Sequence, residues 1–89
     1  MAGWVGGDLE QLQVLESTFT RDAQSVAELQ HRITSTLGST VWQGAASDRF
    51  RQEWQGSFVP SLNRLTEALT ENASYVRLKK EQNDQVNNL

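Results

Sequence analysis

The sequence predicts an all-α protein in which an antiparallel helical hairpin dimerises into a four-helix bundle. Two long segments carry apolar residues at helical spacing, and a short segment that contains glycine separates them. At 89 residues the chain has room for one small domain, which we place over residues 1–89. The chain contains no cysteine, which excludes both a disulfide framework and a thiolate metal site.

The first helix is predicted over residues 8–37, which contain neither proline nor glycine. Asp8 follows two glycines and stands three residues before Gln11, a pattern typical of a helix N-cap. Gly38 is expected to end the helix, as a C-terminal glycine does. The apolar residues of this helix occupy positions a and d of a heptad repeat: Leu12, Leu15, Phe19, Val26, Leu29 and Ile33.

The second helix is predicted over residues 45–80. Pro60 interrupts its pattern, and we expect a kink there because proline removes a hydrogen bond and crowds the carbonyl of Gly56. The alternative is a pair of shorter helices over residues 45–57 and 60–80. The apolar stripe of this second helix comprises Phe50, Trp54, Phe58, Leu62, Leu65, Leu69 and Val76.

Both ends of the chain are expected to lie outside these helices. Residues 81–89 have no apolar stripe and are expected to fray. Trp4 and Val5 precede the N-cap of the first helix. They either fold back onto its first turn as a hydrophobic staple or form an arm that becomes ordered on dimerisation.

The turn between the helices is placed at residues 38–44. The indole of Trp42 is expected to cover the end of the seam between the helices and to be largely packed. Gly44 is expected either to adopt a positive φ or to permit a close backbone approach, and to be intolerant of bulk. The small Ala45 and Ala46 then let the second helix start close to the first.

The apolar stripes predict that a second chain is needed. Each stripe is wider than one partner helix covers, and a hairpin of this size has a single seam. The leftover apolar surface is therefore expected to be covered by dimerisation. Asp22 occupies a d position of the first helix. It either tilts to water or selects the partner by demanding a cation from the opposing chain.

Charge and composition exclude several classes of function. Eight basic and eleven acidic residues give a net charge of −3, which argues against a nucleic-acid partner. His31 is the only histidine and falls at a solvent-facing heptad position, without converging ligands. We therefore expect no catalytic site, no metal and no cofactor. The N-terminus has no basic or apolar signal-peptide region, and no apolar run has the length of a transmembrane helix.

Trp42-Gln43-Gly44, placed between two long amphipathic segments, resembles the turn of the WXG (ESAT-like) proteins of type VII (ESX) secretion. Phe50 and Trp54 downstream add to the resemblance, which covers nearly the whole chain. It implies a protomer that pairs with a second WXG-type chain, a heterodimer being favoured over a homodimer. It also implies folding in the cytoplasm, followed by export without a signal peptide through a membrane machine with an ATPase motor.

This chain departs from the pattern of the family's export signal. Many members carry a tyrosine followed four residues later by an acidic residue, whereas Tyr75 is followed at that position by Lys79. We hypothesise that the partner supplies the signal. Lys79 belongs to a small basic group with Arg77 and Lys80. That group either complements the helix dipole or contacts an acidic partner or anionic lipid.

The resulting functional prediction is a small non-enzymatic substrate or adaptor of a type VII secretion system, exported as a folded dimer. A membrane-acting amphipathic effector is one alternative. Membrane contact is not expected, however, because the first helix is net acidic whereas interfacial helices favour basic residues. A cytosolic coiled-coil scaffold is the other alternative.

Overall fold

The chain folds as an all-α helical hairpin. The computed structural model describes residues 8–88, and the side chains of residues 8–82. Helix α1 spans Leu9–Ser39. The second arm comprises α2 (Ala45–Glu53), a π-helical turn (Trp54–Phe58) and α3 (Val59–Asn88). The hairpin measures 66 × 18 × 15 Å, so it is one long layer of two helices. Trp4, Val5 and Leu89 lie outside the described residues.

Helix α1 begins where the sequence predicts and ends slightly later. The predicted N-cap is confirmed, because the backbone N–H of Gln11 donates to Asp8 Oδ1 at 3.1 Å. Gly38 lies inside the last turn instead of ending the helix, which corrects the prediction. The N–H of Thr40 donates to the carbonyl of Leu37 at 3.3 Å, so the last turn closes beyond the glycine.

The second arm continues through Pro60, which rules out the alternative of two separate helices. A π-helical turn lies directly before the proline, where the N–H of Val59 donates to the carbonyl of Trp54. A π turn holds one residue more than an α turn, which eases the crowding that proline causes. The arm runs to Asn88 rather than ending near Lys80, since no glycine or proline follows Pro60.

The seam residues of the second arm form a heptad repeat with one extra residue. The steps in each row are seven residues, except for one step of eight that spans the π turn. One row comprises Ser47, Trp54, Leu62, Leu69 and Val76, and the other Arg51, Val59, Thr66, Ala73 and Lys80, all of them buried or half-buried. The π turn therefore keeps the arm in contact with α1 although the helical phase shifts.

On α1 the seam is rotated from the predicted stripe. Predicted positions Leu15 and Ile33 are exposed, whereas Ala23 is buried. The seam positions of α1 are Leu9, Leu12, Glu16, Phe19, Ala23, Val26, Gln30, Thr34 and Leu37. A small side chain, that of Ala23, is therefore the most deeply buried one on α1.

Candidate interaction surface

A polar network fixes the turn. Arg51 donates from Nη1 to the carbonyl of Leu37 at 2.7 Å and from Nη2 to that of Thr40 at 3.2 Å. Its Nε donates to Ser47 Oγ at 3.0 Å, and the Ser47 hydroxyl donates to the carbonyl of Trp42 at 2.9 Å. A guanidinium thus satisfies the terminal carbonyls of α1, where a cation is favoured. Our sequence reasoning missed this network, whose only signal is the four-residue spacing of Ser47 and Arg51.

Gly44 is required by its backbone conformation and not by lack of space. Its φ of 116° confirms the predicted positive φ, and with ψ at 176° it lies in a region that essentially only glycine adopts. A Cβ at this position would meet nothing within 4 Å, so the expected intolerance of bulk comes from the backbone conformation and not from a close backbone approach. The carbonyl of Gly44 accepts a hydrogen bond from the N–H of Asp48 at 3.0 Å, which is the first hydrogen bond of α2.

Trp42 does not cover the end of the seam. It is 42% exposed, which corrects the prediction that it is largely packed. Its ring lies against Phe50 on the outer side of α2, with centroids 5.9 Å apart. The buried indole at this end belongs to Trp54, whose Nε1 donates to Thr34 Oγ1 at 2.9 Å. Because Trp54 fills the space between the helices, Trp42 is left at the surface.

The large predicted seam residues divide into three groups. Trp54 and Val76 are buried in the seam. Half-buried positions line it: Leu12, Phe19, Val26, Leu29, Leu62 and Leu69. Five lie outside it and are between 39% and 47% exposed: Leu15, Ile33, Phe50, Phe58 and Leu65. We call these last five residues the apolar face.

The five residues of the apolar face lie on one side of the hairpin. Each directly precedes a seam residue, as Leu15 precedes Glu16 and Leu65 precedes Thr66. Two antiparallel helices are related by an approximate two-fold axis perpendicular to their common plane. Positions with the same offset from their own seams therefore project from the same side. Leu15 and Ile33 are also eighteen residues apart, which is five whole turns, so they share one line along α1.

The opposite side of the hairpin is polar. A shallow groove of about 320 Å³ there is lined by Thr20, Ala23, Gln24, Ala27, Thr66 and Thr70. Thr66 Oγ1 is buried beside this groove without a hydrogen-bond partner among the described residues. We call this side the polar face. None of the side chains that line this groove is a large apolar one.

Asp22 lies on the apolar face. It is exposed, and it stands seven residues after Leu15 and seven before Leu29, so it belongs to the same line on α1. In the single chain Asp22 therefore faces water, which is the first of the two alternatives that the sequence left open. The same position would be covered by any partner that covers the apolar face.

The open end of the hairpin is held by a charged contact. Lys80 Nζ lies 3.0 Å from Glu16 Oε1, with side chains 23% and 17% exposed, and also donates to Gln13 Oε1. Lys80 therefore has a partner within the chain. Lys79 instead lies over the ring of Tyr75, 5.3 Å from its centroid, and Tyr75 is exposed.

Other types of site find little support in the part of the chain that the structure describes. His31 is exposed, and no group of three or more acidic or histidine side chains there could hold a metal ion. Among these residues, no helix combines the length and the apolar character that crossing a membrane demands.

Comparison with known proteins gives no relative for this chain. No protein-family model, no curated protein and no solved structure matches it. The resemblance to the WXG family therefore stays a prediction that rests on Trp42, Gly44 and the hairpin.

Proposed function

We propose that this chain is a non-enzymatic interaction protein, one hairpin of a four-helix bundle, and that it serves as a WXG-type substrate or adaptor of a type VII secretion system. Its partner is a second elongated helical hairpin, a different WXG-type chain in preference to a second copy. The chain folds with that partner in the cytoplasm and leaves the cell as a folded dimer.

The apolar face is the observation that carries this proposal. Five large apolar side chains on one side of a two-helix layer are 39% to 47% exposed, whereas the groove on the opposite side is lined by alanine, threonine and glutamine. Contiguous exposed apolar surface on a small protein marks a place of interaction. Fully burying one large aliphatic or aromatic side chain contributes about 1.5–3 kcal/mol, and covering the exposed 39% to 47% of each of these five contributes roughly half of that. Together they offer a substantial part of a dimer's free energy.

The dimensions of the apolar face favour a hairpin as the occupant. The face belongs to a hairpin 66 Å long and 18 Å wide, and it draws on both helices. A stable complex buries about 800 Å² on each partner, which a parallel layer of two helices supplies and a short peptide does not. Asp22 gives the face one charge, so a partner with a matching cation is preferred over a second copy, which would bring another carboxylate.

The export part of the proposal rests on the resemblance at the turn. Trp42 and Gly44 occupy the turn of a hairpin, as in the WXG proteins. In this chain Lys79 stands where the family has its acidic signal residue and lies against Tyr75. We therefore assign the export signal, and with it the contact with the ATPase motor, to the partner.

The first test is the mass of the purified chain, measured by light scattering on the chain alone and on the chain co-expressed with a candidate partner, a small helical protein encoded by a neighbouring gene. The chain has a mass of 10.0 kDa. We expect a one-to-one complex with the neighbour. A dimer of the chain alone would support the homodimeric form of the proposal. A soluble monomer that forms neither complex would overturn it.

A matched pair of variants tests whether the apolar face is the interface. Leu65→Glu introduces a charge on the apolar face, and we expect it to weaken assembly by about thirtyfold or more. Thr70→Glu introduces the same charge on the polar face of the same helix and should leave assembly unchanged. Equal effects of the two substitutions would show that the apolar face is not the interface.

Export is tested in a host with and without the motor ATPase of its type VII system. We expect the chain in the culture medium only when both the motor and the partner are present. Substitution of the tyrosine or the acidic residue in the partner's tail should stop export of both chains. Export of the chain in the strain without the motor would overturn this part of the proposal.

A further inference from the structure

The geometry points to the π-helical turn at Trp54–Phe58 as the element that makes the partner-binding surface continuous, by aligning Phe50 before the turn with Leu65 after it. This inference rests on the proposed function, because it assigns a role to the turn within the same dimer interface. The partner that binds this surface is a second helical hairpin, which covers the apolar face.

The spacing of the exposed residues gives the first argument. Phe50, Phe58 and Leu65 are separated by eight and seven residues. In an α-helix eight residues rotate the chain by 80° beyond two full turns, whereas seven residues leave it 20° short. The π turn contains one extra residue, so the step of eight becomes equivalent to a heptad step. All three side chains then follow one line.

The seam gives the second argument, since the same extra residue lets both halves of the arm face α1. If α2 kept its position and the arm were α-helical throughout, the seam would continue through Phe58, Leu65 and Asn72. If α3 kept its position, α2 would turn Asp48, Gln52 and Gln55 toward α1 and expose Trp54. The first arrangement takes Phe58 and Leu65 into the seam and so removes them from the apolar face, and the second exposes Trp54. Each of them separates Phe50 from Leu65.

Deletion of Gly56 tests the inference directly, because it removes the extra residue from the π turn. The matched control is Gly56→Ala, which keeps the residue count; a Cβ there would meet nothing within 4 Å. We expect the control to assemble like the unmodified chain. The deletion should weaken assembly by about thirtyfold or more, the loss expected when a central part of an interface is displaced. Circular dichroism reports whether each variant remains helical.

A second measurement keeps the inference testable if the deletion variant does not fold. The chain has no cysteine, so Phe50→Cys and Leu65→Cys each introduce a single thiol. Maleimide labelling is measured on the chain alone and on the assembly that light scattering identifies, at saturating partner. We expect both thiols to react quickly in the free chain and at least about tenfold more slowly in the assembly. Ala73→Cys, at a buried seam position, should react slowly in both.

The outcomes separate this inference from the proposed function. Protection of one thiol only, or unchanged assembly of the Gly56 deletion, would overturn the role of the π turn while leaving the dimer in place. If no assembly forms and neither thiol is protected, the proposed function itself fails. Protection of both thiols together with weakened assembly of the deletion variant would support the inference.

Discussion

The seam and the apolar face are built from opposite kinds of side chain. The most deeply buried seam residues are mostly small, namely Ser47, Ala23 and Ala73, and Trp54 and Val76 are the two larger ones. The apolar face beside it carries leucine, isoleucine and phenylalanine in partly exposed positions. Small residues let two helices approach closely, but they bury little area. The hairpin therefore leaves five of its large apolar side chains for a second layer, which a self-sufficient hairpin would place between its own helices.

The largest difference between the seam and the apolar face is expected for the substitution Trp54→Ala. Trp54 is the largest buried side chain of the seam and also donates to Thr34. Its truncation should lower the free energy of unfolding by about 3–5 kcal/mol, measured by urea denaturation. Phe58→Ala changes a residue of the apolar face one turn later. Its loss of stability should appear only at protein concentrations at which the dimer forms. If both variants lose the same stability at every concentration, the distinction between seam and face is wrong.

The alanines of the seam allow a sharper comparison. Ala73→Leu adds three carbon atoms where the backbones approach closely, and overpacking of this kind costs about 1–3 kcal/mol. Ala68→Leu makes the same change at an exposed position of the same helix, where we expect no loss. Thermal melts followed by circular dichroism compare the two variants. A stability gain for Ala73→Leu would mean that the seam has unfilled space.

The sequence was sufficient for the hairpin but not for the rotation of its helices. The N-cap at Asp8 and the positive φ of Gly44 follow from local chemistry, and the structure agrees with them. Both helices, however, run beyond their predicted ends. The rotation of α1 depends on a choice between two overlapping apolar stripes. The structure selects the stripe with Ala23, which is 5% exposed, and leaves Leu15 42% exposed.

The π turn explains the remaining errors on the second arm. A continuous helical pattern places Phe58 and Leu65 in the seam, whereas the extra residue before Pro60 moves them to the surface. The signal was present as a step of eight residues in an otherwise regular heptad pattern, which a period of 3.6 residues conceals. The network around Arg51 could not be foreseen, since it joins residues fourteen positions apart.

Two glycines at the turn end should respond to the same substitution with opposite signs. Gly44→Ala forces a side chain into a conformation with φ of 116° and should lower the unfolding free energy by about 1–2 kcal/mol. Gly38→Ala falls inside α1, where alanine has the higher helix propensity, and should raise it by about 0.5–1 kcal/mol. Neither Cβ meets another atom within 4 Å, so backbone conformation alone decides. Urea denaturation of both variants checks the signs.

The smallest effect is expected at the open end of the seam, where Lys80 meets Glu16. The two side chains are 23% and 17% exposed, so solvent screens the pair and its net contribution should be about 1 kcal/mol or less. A double-mutant cycle with Lys80→Met and Glu16→Gln measures that coupling, and high salt should reduce it. Lys79→Met is the adjacent control and should change nothing, because Lys79 lies on the exposed Tyr75. A coupling well above this value would mean that the charged contact, and not the small seam residues, keeps the ends of the helices together.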